Sequence, residues 1–200
     1  MLDILISNTW VIAVLWVALY IFDYASTLWL ARVYRTILSR YIFYEGGVEL
    51  NPNFEKEIDR GQVPSARFIV LVALVLIIVL FSGLLSAYFV EFLAGALLLT
   101  WIFVDSRHLR NYAYAWFLRR KPDSIKGRSE YSYWLMQKMV SSEAFTFSLI
   151  YLFLTLLTWR LFFLAGVLTC LSFAIRHNRL ANRKPPVTRQ TRPKITISKF

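Results

Sequence analysis

Asp23 and Thr27 lie four residues apart in the first long apolar stretch of the chain. That spacing is about one helical turn, so both side chains fall on one face of a helix. A charged residue at the centre of a bilayer helix costs about 2.5 to 3.5 kcal/mol on insertion scales, so Asp23 needs a partner or a role. Two interpretations stay open: Asp23 hydrogen-bonds a neighbouring helix and fixes its packing, or it contacts an ion, a proton or a substrate.

A polar connection follows this stretch and reads EGGVELNP, ending at Pro52. Its two glycines interrupt the helical pattern. Asn51 and Pro52 are typical of a helix start, because Asn accepts hydrogen bonds from free amide groups and Pro suits the first helical position. A cap does not need Glu49, which is therefore the stronger candidate for a binding role.

Further candidates lie in the second half of the chain. Asp105 and His108 are three residues apart, a spacing that places two metal-ligating side chains on one helical face, with Tyr112 on the same face. Two ligands do not make a metal site, so an interfacial, salt-bridged histidine is the alternative. Glu143 stands at the start of a later apolar stretch. Glu91 is expected near the opposite membrane face, where it reaches water.

The composition indicates which elements must position these side chains. Apolar residues make up 58% of the 200 residues and the mean hydropathy is +0.50, values that are too high for an ordinary soluble domain. We expect an all-α, polytopic membrane protein with five transmembrane helices within residues 1–180. The spans fall at about 9–31, 66–80, 87–104, 140–158 and 161–175. Residues 181–200 are basic and contain proline, which predicts a disordered tail.

Two details of these spans bear on packing. Gly95 lies one turn after Glu91 in the third span, so this face is able to approach a neighbouring helix closely. Only Trp159 and Arg160 separate the fourth span from the fifth, and neither Gly nor Pro marks the turn. That boundary has the weakest sequence signal.

The lysines and arginines predict the orientation. With five spans, residues 32–67, residues 106–138 and the tail share one side and hold 22 of the 23 basic residues, and Arg160 lies opposite. Positive charge accumulates on the cytoplasmic side. We therefore expect a multi-pass protein of the inner (cell) membrane with its N-terminus outside and its C-terminus in the cytoplasm. The polar candidates then gather near the cytoplasmic face: Asp23, Thr27, Glu49, Asn51, Asp105, His108 and Glu143.

Residues 106–121, SRHLRNYAYAWFLRRK, interleave basic and aromatic side chains. Directly after a span, this mixture is typical of the membrane interface and argues against nucleic acid as a partner. The expected partners are a bilayer with anionic lipids, and other membrane subunits or further copies of the chain.

The Asp-x-x-x-Thr pattern of Asp23 and Thr27, followed after a Gly-Gly pair by the Glu-x-Asn-Pro of Glu49, Asn51 and Pro52, resembles a group of small bacterial and archaeal multi-spanning membrane proteins of uncharacterised function. The resemblance covers roughly residues 15–85. It implies that these positions matter together, and it implies no activity.

Common enzyme signatures are missing from the sequence. It contains no glycine-rich phosphate loop, His-Glu-x-x-His motif, serine nucleophile elbow, Cys-x-x-Cys pair or paired aspartate motif of lipid phosphotransferases. We therefore expect a non-catalytic subunit or scaffold of a membrane assembly. One alternative is a small oligomeric ion- or proton-coupled transporter or channel that uses Asp23. A second is a membrane-embedded metal-dependent enzyme with Asp23, Glu49, Asp105 and His108 as candidate metal ligands. The sequence names no cofactor.

Overall fold

The structure is a computed structural model, and it describes residues 2–45, 66–124 and 126–183. Six α-helices account for most of this part of the chain: α1 (Leu2–Ser7), α2 (Thr9–Thr36), α3 (Ala66–Ser82), α4 (Ala87–Arg120), α5 (Tyr133–Thr158) and α6 (Leu161–Arg183). Two three-residue strands, β1 (Ile42–Tyr44) and β2 (Ser129–Tyr131), pair in parallel with Ile42 opposite Ser129. The expected helical class is confirmed.

Four helices, α2, α4, α5 and α6, are long and apolar enough to cross a membrane. The chain is therefore a multi-pass helical membrane protein. The expected second span corresponds to α3, whose 17 residues form a shorter apolar helix. At 1.5 Å per residue, α3 extends about 25 Å, against a hydrocarbon core of roughly 30 Å.

The helices extend beyond the expected spans. The third span was placed at 87–104, but α4 continues without a break to Arg120, and α5 starts at Tyr133 and not near residue 140. Hydropathy marks the part of a helix that suits hydrocarbon, whereas the helix itself continues until its hydrogen bonding stops, here just before Pro122. The last helix runs past residue 175 to Arg183, so the expected tail begins inside it. Residues 184–200 of that tail lie outside the described residues.

Local hydrogen bonds explain the helix ends around the bundle. The side chains of Ser86 and Ser132 cap α4 and α5, each hydroxyl oxygen accepting from a backbone N–H three residues on, at 3.2 Å. The α5–α6 turn lies where the sequence predicted it. Its left-handed residue is Trp159, with φ 53°, whose N–H donates to the carbonyl of Thr155 at 2.7 Å.

The core is formed where α6 packs between α5 and α4, and where α4 packs on α2. At Gly95 the backbone of α4 approaches the backbone of Phe162 so closely that no side chain fits between them, which confirms the expected close approach of this face. Hydroxyl groups also join the helices: Tyr151 donates to the carbonyl of Leu99 at 3.1 Å. These contacts fix the position of α4 against α5 and α6.

Candidate functional site

Asp23 and His108 meet where α2 packs on α4. Oδ1 of Asp23 lies 2.7 Å from Nε2 of His108, and Oγ1 of Thr27 lies 3.4 Å from the same nitrogen. The side chains of Asp23 and His108 are 18% and 15% exposed. At this distance the Nε2–H tautomer of His108 donates a hydrogen bond to a carboxylate oxygen of Asp23. The aspartate and threonine that share a face of α2 therefore converge on one imidazole.

Asp105 lies one turn before His108 on α4. It is 6% exposed, and it interacts electrostatically with both Asp23 and His108. Neither of its carboxylate oxygens has a hydrogen-bond partner among the described residues, and the same holds for Nδ1 of His108. Buried polar atoms nearly always have partners, and each one without costs about 1 to 3 kcal/mol. Asp23, Thr27, Asp105 and His108 together are called the α2–α4 cluster below.

The third residue of the expected α4 face, Tyr112, also contacts α2. Its hydroxyl donates to Oγ of Ser26 at 3.4 Å, and its ring stacks on Trp29 with 4.2 Å between centroids. The predicted common face of Asp105, His108 and Tyr112 is therefore the face that packs on α2. The role of Ser26 was not predicted, although its position three residues after Asp23 gave the signal.

A layer of aromatic rings lies next to the cluster and involves three helices. The ring of Tyr20 packs against Trp16 at 5.1 Å, and against Phe68 of α3 and Trp101 of α4 at 4.8 Å each. Tyr24 packs on Phe68 at 4.5 Å. Tyr20 precedes Asp23 by three residues, so these rings border the same face of α2. Apolar surroundings of this kind strengthen the electrostatic interactions of the neighbouring charged groups.

Glu143 does not join this cluster. The carboxylate of Glu143 binds two arginines of α4: its Oε2 lies 3.0 Å from Nε of Arg107, and its Oε1 pairs with Arg110. Glu143 thus links α5 to α4 separately from the Asp23–His108 contact. Glu49 and Asn51 lie outside the described residues.

Two polar contacts were missed by the sequence analysis. The first joins α5 to α6, where Nδ1 of His177 donates to Oε1 of Gln137 at 2.5 Å in buried surroundings. Neither residue was singled out, because a lone glutamine and a histidine among arginines give no sequence signal of pairing. His177 is thus a buried polar residue of α6 that lies just before the expected start of the tail.

The second contact gathers ionised groups at the opposite end of the bundle. Nε of Arg160 lies 2.9 Å from Oε1 of the buried Glu91. Nη2 of the same guanidinium donates to Oδ1 of Asp3 in α1 at 2.5 Å. Glu91 was expected to reach water, and that interpretation is wrong, because α4 and α6 approach closely enough to enclose it. The hydrogen bond from Arg160 holds the pKa of the Asp3 carboxyl below its usual value of 3.8.

The metal hypothesis receives no support from this geometry. Within residues 2–45, 66–124 and 126–183, no group of three or more His, Cys, Asp or Glu side chains is placed to hold a metal ion. Of the four candidate ligands, Asp23 and His108 are in contact, Asp105 lies one turn before His108, and Glu49 is outside this part of the chain. A metal site formed by these four residues therefore stays a prediction from the sequence.

Comparison with known proteins assigns neither a family nor a function to the chain. The resemblance of Asp23, Thr27, Glu49 and Asn51 to a group of small membrane proteins stays a prediction, and function has to be argued from the α2–α4 cluster. No protein-family model, no curated protein and no solved structure matches the chain.

Proposed function

We propose that the protein is a small proton-coupled membrane transporter or channel in which the α2–α4 cluster binds the coupling proton. The observation that supports this most strongly is the pairing of Asp23 with His108 beside a buried Asp105 whose two carboxylate oxygens have no hydrogen-bond partner among the described residues. A contact that served packing alone would normally satisfy its polar atoms. Ionisable residues inside membrane helices are rare and often mark ion pathways.

The chemistry of the three groups suits a proton. An imidazole is the side chain whose charge ordinarily changes near neutral pH. The ring of His108 has the Asp23 carboxylate at 2.7 Å, and Asp105 lies one helical turn before it on α4. In the proposed cycle, a proton that enters the cluster converts His108 into a cation paired with Asp23, and its release restores the neutral ring. Such a unit loads and discharges a proton without a large change of backbone structure.

The positive charges of the chain support a proposed orientation in the membrane. We place the end that carries β1 and β2 in the cytoplasm and the end with Asp3, Glu91 and Arg160 outside, in the inner (cell) membrane. Support comes from the charges: residues 107–138 hold eight lysines and arginines and belong to the first end. Few helices are available to enclose a path in one chain, so we propose an oligomer as the working form.

The test is proton flux into liposomes that contain the purified full-length protein, read by an enclosed pH-sensitive dye under a potassium diffusion potential. We expect Asp23→Asn and His108→Gln each to reduce flux at least tenfold. Glu91→Gln is the matched control, because it also removes a buried carboxylate paired with a basic side chain, but at the other end. Wild-type flux in Asp23→Asn would refute the proposal.

A second candidate function is the non-catalytic subunit expected from the sequence. It is favoured by α3, where large apolar side chains such as Ile69, Val70, Leu74 and Phe81 are exposed on a helix that packs mainly on α2. An apolar face of this kind packs on lipid or on a partner helix. In this case wild type shows no flux above that of empty liposomes, and Asp23→Asn changes the oligomeric mass, since Asp23 then acts only in packing.

A further inference from the structure

The last turns of α4 are placed at the level of lipid headgroups by the length of the helix. Its 34 residues extend about 51 Å at 1.5 Å per residue. With a usual tilt of about 20°, this projects to about 48 Å along the bilayer normal. A bilayer with its headgroup layers is about 40–45 Å thick, so both ends of α4 reach those layers.

One face of these turns packs against the protein and the other does not. Ala115 and Leu118 are buried in a small apolar cluster with Leu38. Leu109, Trp116, Phe117 and Arg120 recur at helical spacing on the opposite side, and the three apolar members are 59%, 48% and 58% exposed. The exposed side is called the Trp116 face below, and it is defined by Leu109, Trp116, Phe117, Arg119 and Arg120. The end of α4 therefore has an apolar side that packs on the protein and an exposed side that carries both apolar side chains and arginines.

Cations lie over aromatic rings at this end of the bundle. The guanidinium of Arg120 is 3.8 Å from the ring centroid of Trp116, and that of Arg128 is 5.1 Å from Phe43. Rings with a cation alongside are the arrangement found at membrane interfaces, where the ring enters the headgroup layer and the cation meets phosphate. The position of these rings at headgroup level favours a lipid over a soluble acidic protein as the bound partner.

Charge decides which lipid this face suits. Between residues 107 and 138 there are eight lysines and arginines and two acidic residues, Asp123 and Glu130. A surface this basic attracts anionic headgroups and has no reason to prefer zwitterionic ones. We propose that the Trp116 face is a binding surface for anionic phospholipids, with the rings among the acyl-chain ends and Arg119 and Arg120 on the phosphates. This surface is independent of the proton site.

Native mass spectrometry of the detergent-purified full-length protein, titrated with phosphatidylglycerol or phosphatidylcholine, tests the proposal. Each arginine that contacts the headgroup of the bound anionic lipid is worth about a fivefold change in affinity. We expect Arg119→Gln/Arg120→Gln to weaken phosphatidylglycerol binding at least tenfold and to leave phosphatidylcholine binding within twofold. Trp116→Leu keeps both charges and should weaken phosphatidylglycerol binding about twofold to fivefold.

The matched control is Arg179→Gln/Arg183→Gln, which removes the same charge from exposed positions near the end of α6. It should stay within twofold of wild type. An equal loss in this control would show that binding depends on the overall surface charge, and it would overturn the proposal. Phosphatidylglycerol binding at the wild-type level in Arg119→Gln/Arg120→Gln would overturn it as well. If that variant does not elute as folded protein, Arg120→Gln alone is measured, with about a fivefold loss expected and wild-type binding again overturning the proposal.

Discussion

The backbone of Gly95 in α4 lies against the backbone of Phe162 in α6, so closely that a β-carbon on Gly95 would be 2.6 Å from the carbonyl carbon of Phe162. A backbone cannot rotate aside as a side chain does, so this contact requires glycine. It also fixes where α4 and α6 cross, and with it the position of Glu91 beside Arg160.

Gly95→Ala is expected to destabilise the bundle by about 1 to 3 kcal/mol, because α4 and α6 must separate to admit the methyl group. Gly166→Ala is the comparison. There the added carbon would meet side-chain atoms of Leu99 at 2.5 Å and Tyr151 at 2.9 Å, which are able to shift, so the loss should be smaller. Thermal unfolding in detergent, followed by circular dichroism, measures both. Equal losses would contradict the backbone contact.

Replacing Trp159 tests its left-handed conformation. Since φ is 53° at this exposed residue, glycine should fit there with less strain than any residue with a β-carbon. We expect Trp159→Gly to be about 1 kcal/mol more stable than Trp159→Ala, because both lose the ring and only alanine keeps the strain. Comparing the two variants, and not each with wild type, removes the contribution of the ring. An alanine variant of equal or higher stability would argue against the left-handed turn.

Removing the carboxylate of Glu143 should loosen the α5–α4 contact. Glu143→Gln leaves Arg107 and Arg110 without their shared charged partner, and because these side chains are partly exposed we expect a loss of about 1 to 2 kcal/mol. Asp123→Asn, at an exposed carboxylate of the same end, should change stability by less than about 0.5 kcal/mol. A double-mutant cycle of Glu143→Gln with Arg107→Gln gives the coupling directly. Strict additivity would exclude the ion pair.

The Asp3–Arg160 pair predicts a pH dependence. Arg160 lowers the pKa of Asp3 in the folded protein, so the pair stabilises the fold above the usual carboxyl pKa of 3.8, and this is lost as the pH falls through the lowered value. Wild type should therefore melt above Asp3→Asn at pH 5 to 7, and the difference should vanish in acid. Arg160→Gln should abolish the difference at every pH. A difference that persists at low pH would contradict this assignment.

The helical class and the common face of Asp105, His108 and Tyr112 were accessible from the sequence, because both depend on patterns within one helix. Hydropathy identifies the apolar stretches, and a spacing of three or four residues identifies a face. The contact of that face with Asp23 and Thr27 also agrees with the expectation that polar groups gather at one depth.

The sequence did not reveal which helices are neighbours in the bundle. Glu143 was expected only at the same depth as Asp23, and its direction on α5 brings it to Arg107. Glu91 was expected to reach water, and its partner Arg160 is distant in sequence. Depth follows from hydropathy, and Gly95 indicated that its face approaches a neighbouring helix closely. No pattern in a single sequence identifies Phe162 of α6 as the residue that it meets.

The short strand pair ties together segments that are made at very different times. The N–H of Tyr133, at the start of α5, donates to Oε2 of Glu45 at 3.1 Å across a separation of 88 residues. A ribosome that adds about 5 to 20 residues per second needs roughly 4 to 18 seconds to make the intervening chain. During that interval α3 and α4 are synthesised, while β1 has no strand to pair with. The bundle therefore closes at this end only after translation has passed β2, which makes the strand pair a late step in biogenesis.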